Sequence, residues 1–164
     1  AERGYTQISA FLEPTDRLRK KSEQYAAFAQ AVGNDAPLRN IAATRIIYLA
    51  DTEQEAIEDL RASVTYETSV QEQRGFLKML KNVLGLDVPN DHTAIDAYVE
   101  QGYYILGDSD TVTNKLQKFY DESGGFGSLL IVVGKDWATP EKRANSMRMF
   151  MEQVAPRLRD LDPA

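Results

Sequence analysis

The chain alternates short apolar runs with amphipathic stretches. The first run, Thr6 to Phe11, reads as a strand. Pro14 then stands where proline is tolerated, in a first helical turn. Leu18, Tyr25, Phe28, Ala29 and Val32 recur at helical spacing, which predicts a helix to Val32 that ends at Gly33-Asn34. Ala43 to Leu49 is rich in β-branched residues and predicts a second strand. Asp51 or Thr52 can cap the helical region that follows, with Gln54 or Glu55 as its capping-box partner. That region breaks at Thr65–Ser69 and near Gly75, then runs on to Leu84. A turn at Gly85–Asn90 leads to a short helix, Thr93 to Gln101, and to an extended piece at Tyr103–Leu106. Asp108 or Ser109 opens a further helix to Tyr120 or Asp121. Ser128 to Val133 is a third strand. Its Leu129–Val133 segment is apolar at every position, which predicts burial on both faces, as in a parallel sheet covered by helices. Thr139-Pro140 opens the last helix, to Val154, and a polar tail follows Pro156.

This rhythm predicts an α/β fold with three main parallel strands, whose chemistry would lie at their carboxyl ends. It is uneven, because Thr52 to Leu106 is too long for one crossover helix and reads as a helical excursion between two strands. Residues 1–164 read as one domain. Ala1–Arg3 reads as the tail of a helix, so the chain starts inside an element, as a piece of a larger fold would.

Composition narrows the function. The chain has 164 residues, 43% hydrophobic and 27% charged, with a net charge of −6. That balance is ordinary for a globular protein and argues against nucleic acid, which requires clustered Lys and Arg. The densest basic run, Arg17 to Lys21, lies beside Asp16 and Glu23 and reads as a solvated helix face. The absence of cysteine excludes disulfides, thiolate catalysis and cysteine-ligated zinc. No apolar run approaches the roughly 20 residues of a membrane helix, and the start lacks a signal-peptide pattern, so the cytoplasm is the expected compartment.

Few residues offer chemistry. His92, the one histidine, would have to serve any Ser–His–acid triad, but it stands in a polar loop before a helix, where a solvated or capping role is the plainer reading. Asp108-Ser-Asp110 has the spacing of a D-x-D metal motif, although the helix that follows makes capping the better explanation. Gly124-Gly-Phe-Gly127 precedes a strand, whereas phosphate loops precede a helix, so it reads as a helix end and a tight strand entry. Gly134–Trp137 follows the carboxyl end of the third strand and is the best candidate. Trp137 could wall a pocket and exclude water, or it could pack the last helix onto the sheet. Lys135, Tyr48 and Ser9 are pocket-lining candidates from their places near strand ends. Phe126, Met147, Phe150 and Met151 have core spacing.

The last third also carries a family resemblance. Gly107-Asp108, Val112, Leu116, Gly125-Phe126-Gly127, Leu129-Leu130, Asp136-Trp137, Ser146-Met147, Phe150, Val154 and Pro156 stand in an order that resembles the C-terminal signature of the bacterial luciferase-like flavin monooxygenases. Arg45 to Ala56 resembles a strand and helix start of the same family, and Ala1 to Ser9 the approach to an earlier strand. The resemblance implies the C-terminal portion of a (β/α)8 barrel, about its last three strands with a long helical insertion. It implies reduced FMN supplied by a partner reductase, O2, and oxygenation of a small organic substrate; some relatives use the deazaflavin F420. Family members carry a histidine where Lys135 stands, so Lys135 is given no role beyond pocket lining. The family's flavin contacts come largely from earlier strands, so no catalytic or cofactor-binding residue is assigned. An incomplete barrel leaves sheet edges open, which predicts a homo-oligomer. A different class of function also fits: a non-catalytic α/β binding or assembly module.

Overall fold

The computed structural model describes residues 1–34 and 37–161. Four strands form one parallel sheet: β1 (Gln7–Ile8), β2 (Ile41–Leu49), β3 (Tyr104–Gly107) and β4 (Ser128–Val132). The helices are α1 (Thr15–Ala31), α2 (Glu53–Gln73), α3 (Phe76–Met79), α4 (Ala94–Glu100), α5 (Ser109–Ser123) and α6 (Pro140–Met149). A wide helical turn, Leu80–Leu84, extends α3, and another, Phe150–Val154, extends α6.

Strand β2 is the axis of the sheet, and all nine of its residues are buried. Its register fixes the order of the others. Ala42 pairs with both Ile8 and Ser128, and Ile46 with both Tyr104 and Val132. A residue has two edges and each admits one neighbour. Strands β1 and β3 therefore share one edge of β2, at its start and its end, and β4 takes the other. The three strands expected from the sequence thus lie side by side in chain order, β1-β2-β4. The extended piece at Tyr103–Leu106 is a fourth strand, seated above β1.

Alternation along β2 sends its side chains to two cores. Ile41, Ala43, Ile47 and Leu49 meet α1, α5 and the turn at Phe150–Val154. Ile46 and Tyr48 meet the helical excursion, through Leu60 and Val64 of α2, Leu80, Ile95 and Tyr98. The excursion therefore covers the second face near the carboxyl ends of the strands. Toward the amino ends that face is open: Ile8 and Leu130, which the register places on it, are 63% and 42% exposed.

Local signals account for the boundaries. Thr52 caps α2 by accepting from the Glu55 N–H at 3.1 Å, and Thr139 accepts from the Lys142 N–H at 3.3 Å. Gly75, at φ 70°, ends the α2 run. Helix α2 continues unbroken through Thr65–Ser69, because Val64 and Thr68 bury against the core and outweigh the weak helix preference there.

Other expectations need correction. Strand β1 is shorter than Thr6–Phe11, because the chain turns once Ser9 has bonded across to β2. Strand β4 is not buried on both faces: it has a single neighbour and its alternate side chains reach solvent. On α1 the buried stripe is Leu18, Ser22, Tyr25 and Ala29, while Phe28 and Val32 are exposed. Phe126 and Phe150 are core as expected, but Met147 and Met151 point outward. Residues 162–164 of the polar tail lie outside the described residues.

Candidate functional site

Helix α2 begins just after the carboxyl end of β2, and its inward face carries Leu60, Val64, Glu67 and Gln71 at helical spacing. This stripe lies over the strand ends. Tyr48, buried near the end of β2, donates its hydroxyl to Asp59 Oδ2 on α2 at 2.9 Å. Burial, then the Asp59 carboxylate, raise the Tyr48 phenol well above its ordinary value, so it stays a neutral donor. Lys142 of α6 reaches Asp59 Oδ1 at 2.6 Å and Glu55 at 3.2 Å. One carboxylate thus joins β2, the excursion and the last helix.

Trp137 lies in the loop leaving β4 and is 2% exposed. Its indole Nε1–H donates to Glu67 Oε1 at 2.9 Å. Its ring lies 5.8 Å from Tyr104, which stacks on Tyr98 at 4.7 Å and 12°. The Tyr98 hydroxyl donates to Gln71 Oε1 at 3.3 Å. Desolvation raises Glu67 above the usual carboxylate range, opposed by the indole bond. Burial pushes Tyr98 up to about 12 and Tyr104 further. Arg143 donates to the carbonyl oxygens of Trp137 and Ala138, at 2.7 and 3.2 Å. The Ser63 hydroxyl donates to the Asp136 carbonyl at 2.9 Å. The loop after β4 is therefore tied to the excursion and to α6.

The remaining candidates lie apart from this cluster or are engaged in structure. Ser9 is buried; its Oγ accepts from the Thr44 N–H at 2.8 Å and its carbonyl from the Thr44 hydroxyl at 2.9 Å, joining β1 to β2. Lys135 projects to solvent and lies 3.7 Å from Asp136. His92 is exposed, and its carbonyl accepts from Arg61. The Asp108 carboxylate accepts from the Thr111 N–H at 2.8 Å and from its hydroxyl at 3.0 Å, so it caps α5. Asp110 pairs with Arg157 at 2.6 Å. The glycine cluster ends α5 and enters β4: Gly124 and Gly125 have φ of 83° and 93°, and a Cβ on Gly127 would lie 2.6 Å from Arg39 Cα. Of the four pocket candidates, Tyr48 and Trp137 fall in one buried core cluster near the carboxyl ends of β2 and β4, at 1% and 2% exposure. Glu67, Asp59 and Tyr104 were missed. Glu67 continues the Leu60–Val64 stripe, and a carboxylate on an apolar stripe is the signal that could have found it.

Chemically the cluster is aromatic and buried, with the Tyr48 and Tyr98 hydroxyls and the Trp137 N–H each hydrogen-bonded to α2. Its cations, Lys142 and Arg143, are bound to carboxylates and carbonyls.

No family model matches the chain. Among curated proteins it is 24% identical to 2,5-diketocamphane 1,2-monooxygenase 1 of Pseudomonas putida, over 96% of this chain and 45% of that protein. It is 26% identical to limonene 1,2-monooxygenase of Rhodococcus erythropolis, over 72% of this chain and 29% of that one. The chain spans less than half the length of these relatives. Among solved structures, the oxygenating constituent of 3,6-diketocamphane monooxygenase from Pseudomonas putida, a Type II Baeyer–Villiger enzyme in complex with FMN, superposes with TM-score 0.73 at 23% identity, over 95% of this chain and 43% of that one. An F420-dependent tetrahydromethanopterin reductase from Methanopyrus kandleri gives TM-score 0.54 at 19% identity. These relatives bear out the resemblance read from the sequence.

Proposed function

We propose that this chain, a relative of the bacterial luciferase-like monooxygenases, is the C-terminal part of a cytoplasmic enzyme that uses reduced FMN and O2 to oxygenate a small organic substrate. The observation that carries this reading is the aromatic cluster of Tyr48, Tyr98, Tyr104 and Trp137 near the carboxyl ends of β2 and β4, neighbouring parallel strands, the end at which barrel enzymes work. The order β1-β2-β4 is that of successive units of a (β/α)8 barrel, and the relatives' greater length leaves room for the others. When bound, FMN would supply the oxygen chemistry, and the protein would supply orientation and a dry pocket. Tyr48 and Trp137 of this chain would exclude water from one side. The flavin itself would be held by strands that precede β1, since the cations beside the cluster, Lys142 and Arg143, are engaged.

FMN is favoured over F420 because the relatives in sequence are monooxygenases, while the F420-dependent reductase shares the fold alone. A separate flavin reductase would deliver the reduced cofactor.

One further feature supports incompleteness. An open groove of about 500 Å³ lies along β1 and α1, lined by Tyr5, Gln7, Tyr25 and Phe28. The side-chain nitrogen of Gln7 is buried there without a partner. A neighbouring barrel unit would fill that groove; without one, a second copy of the chain would associate there or on the open sheet face. The test is to extend the reading frame upstream of Ala1, purify the product, and assay substrate-dependent O2 uptake with FMN, a flavin reductase and NADH. Oxygenated product supports the proposal. A reading frame without further βα units, or no turnover across terpenoid ketones and alkenes, would overturn it.

A further inference from the structure

Trp137 is the only tryptophan of the chain. Three things hold the ring. Glu67 accepts its N–H. Tyr104 packs against it. Gly134 lies directly against the ring: a Cβ there would stand 2.6 Å from Trp137 Cδ1, closer than real contacts allow. Only Glu67 gives this arrangement a direction. Its carboxylate is half-buried and lies near Asp136, an environment that penalises its charge. The neutral indole N–H is the polar group that its Oε1 meets.

We infer that Glu67 is a positioning residue, which holds the Trp137 indole in one orientation with its only polar atom turned toward α2. This rests on reading Trp137 as a wall of the pocket. A ring held so has its one N–H engaged by α2, and it is 2% exposed in this chain, so in a complete site it would have only carbon to offer a neighbouring group. The wall then favours an apolar substrate body and offers no hydrogen bond to a substrate oxygen. Polar recognition must come from elsewhere in the complete site. The same bond ties the excursion to the loop after β4, so the cover of the second face and the orientation of the ring are set together.

A single tryptophan makes the test direct. The indole Nε1–H gives one resonance in a proton–nitrogen spectrum, and its exchange with solvent can be timed. Glu67→Gln keeps an acceptor oxygen and is expected to preserve both the resonance and the protection. Glu67→Leu removes the acceptor and is expected to shift the resonance upfield and to speed exchange at least tenfold, with far-UV circular dichroism unchanged. Glu67→Ala removes the acceptor without adding a branched side chain. It is expected to give the same shift and faster exchange, which keeps the test open if Glu67→Leu fails to fold. A folded Glu67→Leu protein with the resonance and exchange rate of the parent would overturn the inference, as would a Glu67→Gln protein that behaves like the Leu variant. In the full-length enzyme Glu67→Leu is expected to raise KM for an apolar substrate more than it lowers kcat. Altered indole signals with unchanged KM and kcat would overturn the pocket reading and leave the Glu67–Trp137 pairing standing.

Discussion

Replacing Ser146 with alanine isolates one contact between α6 and the sheet. Strand β4 pairs with β2 only from Ala42 to Ile46. Beyond it, the Leu49 N–H is met by Ser146 Oγ at 2.8 Å, and both residues are buried. Alanine fits the space but leaves a buried N–H unpaired, which costs roughly 1–3 kcal/mol. Alanine's better helix propensity returns about 0.5 kcal/mol. The net loss should be about 1.5 kcal/mol, or roughly 3–6 °C in Tm for a domain of this size. Urea denaturation should show a lower midpoint with an unchanged m-value. Hydrogen exchange should show the Leu49 amide losing protection before its neighbours in β2. Met147→Ala, at an exposed site beside it, should change stability little. A Ser146→Ala protein as stable as the parent, with Leu49 equally protected, would refute the view that α6 seals this edge of β2.

Further outcomes follow from the buried charges and the open face. Arg45, pushed down to about 10 chiefly by desolvation, donates to Thr15 Oγ1 and the Thr44 carbonyl and lies 3.9 Å over the Phe119 ring. Arg45→Ala should cost about 2–3 kcal/mol in denaturant melts, and Arg45→Met should recover part of that, because a packed apolar chain replaces a buried ion well. Because Glu67 titrates above its unfolded value, its contribution to stability is full below the ordinary carboxylate range and is lost as pH rises through the raised folded pKa. Glu67→Gln should therefore raise Tm at pH 7, and the gain should shrink toward pH 4; a gain independent of pH would contradict the assignment. Sedimentation of the isolated chain should show a dimer or larger species, and Ile8→Lys with Leu130→Lys should shift it toward monomer; a monomer at high concentration would show that the excursion covers enough of the sheet face.

Much of the fold was legible because it is written locally. Strand β2 carries nine residues that suit burial on both faces, and the caps at Thr52, Asp108 and Thr139 each use a side chain within three residues of its partner. What was not legible depends on neighbours. The apolar run of β4 reads like a central strand, yet its place at an edge is decided by which strands flank it. Phe28 and Val32 satisfy helical spacing, yet the inward direction of α1 is set by where β1 and β2 lie beneath it. The site divides in the same way. That Tyr48 and Trp137 stand near strand ends was readable from the sequence, whereas Glu67 stands seventy residues from Trp137 and meets it only through the path of α2. Ser9 has the right position, but its hydroxyl is used by Thr44, and no pattern in the sequence announces that bond.

The central claim is that this chain supplies one wall of a flavin site whose cofactor contacts lie in strands before β1. Titrating FMN and reduced FMN against the purified chain, and against the upstream-extended protein, tests it most directly. The account predicts no saturable low-micromolar binding by the chain and binding near one FMN per polypeptide by the extended protein. Low-micromolar binding by the chain, at a stoichiometry near one, would contradict it.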